Sequence, residues 1–103
     1  MSEIDDYEEQ FLELIEQVKG ILEQELPRMR GQERVEKCSY LKNRLARAKQ
    51  IHRSILVEIR DLTSERTPEW EQKAREYDAQ ISKLLQDVEW AETSAEKDDI
   101  KRR

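Results

Sequence analysis

Apolar residues recur every seven positions along nearly all of this chain, in paired series offset by three. Ile4, Phe11 and Val18 form one series near the N-terminus, and Tyr7, Leu14 and Ile21 form the other. Such spacing keeps one stripe of a helix apolar and the rest polar. Leu12, Ile15 and Leu22 widen the stripe, which predicts a first helix that faces two neighbours. Ser2 with Asp5, or Asp5 with Glu8, has the spacing of a cap at its start. A second double series runs through Cys38, Leu45, His52 and Ile59 and through Leu41, Ala48, Ile55 and Leu62, widened by Ile51 and Leu56. A third runs through Trp70, Tyr77, Leu84 and Ala91 and through Ala74, Ile81, Val88 and Ala95.

The breaks between these stripes fall where helices end. Pro27 and Gly31 bracket the first, and residues 63–66 carry no apolar side chain to continue the second stripe. Pro68 disfavours a helical conformation at Thr67, so Thr67 reads as an N-cap and Pro68 as the first helical position. The pattern therefore predicts helices over about 3–26, 32–62 and 68–92. Short connections make consecutive helices antiparallel. The expected fold is all-α, an antiparallel up-down-up three-helix bundle with left-handed coiled-coil-like packing over 1–92. Residues 93–103 read as a linker or a helix extension.

Composition agrees with long helices. Only 36% of residues are hydrophobic and 42% are charged, too polar a mixture for a thick two-sided sheet core. The net charge of −5 hides a segregation: residues 1–26 carry nine acids and one base, and residues 27–62 carry four acids and ten bases. Complementary charge should steer the first helix beside the second. Exposed ion pairs contribute only about 0–1 kcal/mol each, so burial of the stripes has to hold the fold.

Catalytic motifs are missing from the sequence. It has no glycine-rich phosphate loop, no Cys-x-x-Cys and no His-Glu-x-x-His, and the single Cys38 and His52 lie two heptads apart on one helix. No cofactor is implied. Cys38 reads as a small core residue and His52 as a half-buried polar residue at the seam. Glu9, Glu13 and Glu16 face outward and lack the Glu-x-x-His partner of a di-metal bundle, so they read as a solvated acidic face. The bases of the second helix, among them Arg47, Arg53 and Arg60, could attract phosphates. A pI near 5.0 and aromatics confined to the seams argue instead for no nucleic acid. Trp90 lies outside the heptads and either fills the seam with Leu85 or offers an aromatic anchor to a partner. No apolar run approaches the ~18 residues of a membrane span, and the N-terminus has no secretory leader pattern.

The ordered set of Tyr7, Glu8 and Phe11, then Leu45, Ala48, Lys49, Glu58, Ile59 and Arg60, then Arg75, Tyr77, Ile81, Lys83, Leu84 and Asp87 resembles the N-terminal three-helix domain of Vti-type SNARE proteins, the Qb class. The likeness covers residues 4–92. It departs at Leu56, where similar proteins tend to have an acid, and at His52, where they tend to be aliphatic. The resemblance implies a non-enzymatic domain that precedes a SNARE motif and a C-terminal membrane anchor, neither of which lies in these 103 residues. It further implies pairing with other SNAREs through that motif. Binding of an epsin-related clathrin adaptor or of tethering factors would fall to this domain, on the cytosolic face of Golgi or endosomal membranes.

Charge segregation nominates two surfaces for such a partner. One is the acidic face of the first helix, Glu9, Glu13 and Glu16; the other is the groove between the second and third helices, with Arg47, Arg53 and Arg60, and Trp90 is a separate candidate anchor. A spectrin-like or coiled-coil scaffold repeat would carry the same heptads and is the alternative reading.

Overall fold

The computed structural model describes the backbone of residues 2–101 and the side chains of residues 2–95. Three helices are present: α1 over Glu3–Gly20, α2 over Gly31–Ile59 and α3 over Thr67–Lys101. Gln17 meets Arg44 across α1 and α2, and Lys42 meets Glu92 while His52 meets Ala74 across α2 and α3. Rising numbers on one helix thus face falling numbers on the next, which makes the bundle up-down-up. Its extents are 60 × 19 × 17 Å, set by the 35 residues of α3.

Heptad residues supply the core. Phe11, Val18, Leu41, Leu45, Ala48, Ile55, Trp70, Ile81 and Val88 are all buried, and no polar or charged residue is buried among those described. α2 packs along both neighbours, and small residues at Ala48, Ala74 and Ala91 let it lie close to α3. α1 and α3 meet mainly through long side chains, with the Phe11 and Tyr77 rings 4.7 Å apart between centroids. Leu12 and Leu56, expected to widen their stripes, are instead 43% and 44% exposed. In a three-helix bundle each helix has only two neighbours, and these positions lie past the edge of both.

The helices differ from expectation at the end of α1, at the end of α2, which stops at Ile59 rather than at 62, and at the start of α3. After Val18 a strict heptad would bring the acid Glu25 to the seam. A π-helical turn over Ile21–Glu25 takes up one extra residue, and Leu26 is buried there in its stead. A short 3₁₀ turn over Leu26–Arg28 then ends the segment. Gly31 opens α2 with a φ of 57°, a left-handed conformation that favours glycine and lets the chain reverse within a few residues.

Thr67 is not an N-cap. The turn into α3 begins earlier, with the Arg66 and Thr67 amides donating to the Thr63 carbonyl, and the Thr67 hydroxyl donates to that same carbonyl at 2.9 Å. Pro68 is tolerated because it lies in the first turn, where its missing N–H leaves no gap. At the other end α3 continues to Lys101, through most of the segment read as linker or extension; Arg102 and Arg103 lie outside the described residues.

Candidate recognition surface

The charged side chains that tie the helices together converge on α3. Glu8 of α1 is the most connected. Its Oε2 accepts a 2.6 Å hydrogen bond from the Tyr77 hydroxyl and lies 3.4 Å from Lys73 Nζ, while Lys73 also sits 4.5 Å over the Trp70 ring. The heptad places Tyr77 on the seam but carries no information on where the polar tip of the ring ends, so the partner of its hydroxyl is not legible in the sequence. On the far side Lys42 and Glu92 join α2 to α3 at 2.9 Å. Across α1 and α2 the polar contact is Arg44 to Gln17 at 3.1 Å, and no ion pair joins those two helices among the described residues. The expected direct pairing of acidic α1 with basic α2 is therefore not how their charge is used.

Burial, then the Glu8 carboxylate, raises the Tyr77 hydroxyl well above its ordinary value of 10.0. The hydrogen bond to Glu92, opposed in part by desolvation, raises Lys42 as well. A group whose folded pKa is raised contributes stability that is complete below its unfolded pKa and is lost as pH rises. Both groups thus predict an alkaline weakening that begins near pH 10. Tyr77→Phe should cost about 1.5–3 kcal/mol at neutral pH, the range for a hydrogen bond to a charged acceptor, and should flatten the alkaline fall. Urea melts at about pH 8 and pH 11 check both effects.

Three further groups are set by their surroundings. The Ser2 hydroxyl donates to Asp5 Oδ2 at 2.7 Å and holds that carboxyl below its usual range, but no side chain caps a backbone amide at the start of α1, contrary to the expected cap. Burial pushes the Cys38 thiol up, so it stays protonated and is a poor nucleophile, as a core residue should be. His52 Nε2 sits 2.8 Å from the Ala74 carbonyl; a carbonyl only accepts, so that nitrogen carries the proton.

The candidate partner residues are distributed over three faces. Glu9, Glu13 and Glu16 are exposed on α1 around Leu12, and Glu13 turns toward a shallow groove shared with Gln17, Arg44 and Arg47 of the α1–α2 side. Arg47 therefore does not belong with Arg53 and Arg60. Six residues along a helix turn the side chain by roughly 120°, whereas the seven residues from Arg53 to Arg60 bring it nearly back. Arg53 and Arg60 are exposed on α2 on either side of Leu56 along the helix, and Leu56 lines a groove with His52, Glu71, Arg75 and Asp78. Trp90 is 69% exposed on the outer face of α3, so it does not fill the seam with Leu85. Tyr40 and Val57, at 47% and 54% exposed, were overlooked in the sequence although both lie off their heptad series, which is the signal that finds them.

Among the described residues no group of three or more His, Cys, Asp or Glu is arranged to hold a metal ion. The fold defines a class of domain: an all-helical three-helix bundle with an apolar core and charged outer faces. The family model for the N-terminus of vesicle transport v-SNARE proteins matches residues 1–92, and the chain belongs to that family. The match agrees with the Vti-type SNARE resemblance and assigns the chain a SNARE role in vesicle transport. No curated protein and no solved structure gives a significant match. No helix among the described residues is long and apolar enough to cross a membrane.

Proposed function

We propose that this bundle is the regulatory front of a Q-SNARE that works in traffic among Golgi, endosomal and vacuolar membranes. It acts by protein–protein recognition and without catalysis. An epsin-related clathrin adaptor or a tethering factor reads its outer faces and thereby sorts the SNARE into the correct vesicle. Other SNAREs are engaged through a SNARE motif beyond residue 92, toward which the C-terminal part of α3 leads.

One observation carries this reading. The interhelical ion pairs are made by Glu8, Lys73, Lys42 and Glu92, and Glu9, Glu16, Arg53 and Arg60 stay exposed around Leu12 and Leu56. Charges with no internal duty beside a half-exposed apolar residue are what a partner surface needs for orientation and for a desolvated centre. The test is calorimetric titration of the purified domain with the folded domain of an epsin-related adaptor. Arg53→Glu with Arg60→Glu, or Glu9→Lys with Glu16→Lys, should weaken binding by about tenfold or more while leaving the melting temperature in place. Unchanged affinity in both double variants would remove these faces from the account.

A further inference from the structure

α1 and α2 each carry one exposed strip with the same spacing and opposite charge. On α1 it is Glu9, Leu12 and Glu16; on α2 it is Arg53, Leu56 and Arg60. In both the apolar residue follows the first charge by three and precedes the last by four, so each strip spans about 10 Å of helix. The apolar centres are equally open, at 43% for Leu12 and 44% for Leu56, and Val57 extends the second at 54%. None of the four charged residues takes part in a salt bridge among the described residues.

The two strips cannot meet within one molecule. α3 presents Lys73 and Tyr77 to α1 and Ala74 to His52 of α2, so it stands between the α1 side and the α2 side of the bundle. Leu56 opens onto the α2–α3 groove, and the Glu9–Leu12–Glu16 face lies on the outside of α1. Complementary surfaces that are barred from each other in one copy are free to pair between two. We infer that this domain associates with a second copy of itself, the acidic strip of one on the basic strip of the other, with Leu12 packed against Leu56 and Val57. Each copy offers one strip of each sign on a different side of the bundle, so the contact runs head to tail, with the dimer as its first step.

This inference does not rest on the adaptor reading, and it is tested with the purified chain alone. Sedimentation velocity at about 25 mM salt, over protein concentrations up to about 1 mM, should show a concentration-dependent shift from monomer toward dimer. The shift should disappear at about 0.5 M salt, where exposed charges are screened within a few ångström. The variant Glu9→Lys with Glu16→Lys then has two basic strips, and Arg53→Glu with Arg60→Glu has two acidic strips. Each alone should stay monomeric at low salt, and an equimolar mixture should form a heterodimer. Circular dichroism of each variant, unchanged from the parent, establishes that the fold is kept. A parent chain that is monomeric at every concentration at low salt overturns the inference, as does a dimer that persists in the charge-reversed variants.

Discussion

Replacing Ile55 with aspartate unfolds the domain, and the same change at its neighbour Leu56 leaves it folded. Ile55 is completely buried on the inner face of α2, while Leu56 is 44% exposed. Ile55→Asp loses the apolar contacts of a fully buried side chain, about 2–5 kcal/mol, and adds a carboxylate with no partner in a core that contains no polar residue among those described. The sum exceeds about 5 kcal/mol, a large part of or all the stability of a domain of this size. Leu56→Asp exposes nothing new and should shift stability by no more than about 0.5 kcal/mol. Thermal melts followed by circular dichroism decide it: cooperative melting of the Ile55 variant near the parent temperature would mean that the register of α2 is wrong.

Phe11→Ala is expected to have the next largest effect. The ring is fully buried and packs against Tyr77, and this aromatic contact fills much of the space between α1 and α3. Truncation should cost about 3–5 kcal/mol, a fall of roughly 15 °C or more in Tm for about a hundred residues. The loss should also release the Tyr77–Glu8 hydrogen bond, since Phe11 and Glu8 lie one helical turn apart on α1. A Phe11→Ala variant that melts within a few degrees of the parent would show that α1 contributes little to the core.

Much of this fold is legible in the sequence because burial of a helix is periodic. Most inner residues of the three helices, Phe11, Leu45, Ile55, Ile81 and Val88 among them, occupy heptad positions, and Ile15 and Ile51 are buried beside them where the widened stripes place them. What stays illegible depends on geometry that periodicity does not carry. The π turn at Ile21–Glu25 shifts the seam by one residue, and only the burial of Leu26 reveals it. The helical turn ahead of Thr67 depends on hydrogen bonds to Thr63 that no residue spacing announces.

The candidate surface is less legible in the sequence than the core. Net charge per segment predicts that α1 and α2 attract, but it does not say which side chains reach across, and Glu8 and Lys42 both reach to α3. Leu12 and Leu56 were assigned to the seams because apolar residues usually go inside; with only two neighbours per helix, a third apolar column is left in solvent. Trp90 and Leu85 are five residues apart, roughly 140° around the helix, so one could be packed only with the other turned away. The structure leaves Leu85 against the core and Trp90 outside.

In this fold the heptad stripes of three helices form one shared interior and leave the outer faces of the helices free. Nuclear Overhauser contacts in the isotopically labelled domain test it most directly. Strong cross-peaks are expected between the Phe11 and Tyr77 rings and between Leu14 and Ile51, with Leu12 and Trp90 showing none to another helix in a dilute, high-salt sample. Absence of the Phe11–Tyr77 contact, together with interhelical contacts from Leu12 or Trp90, would contradict it.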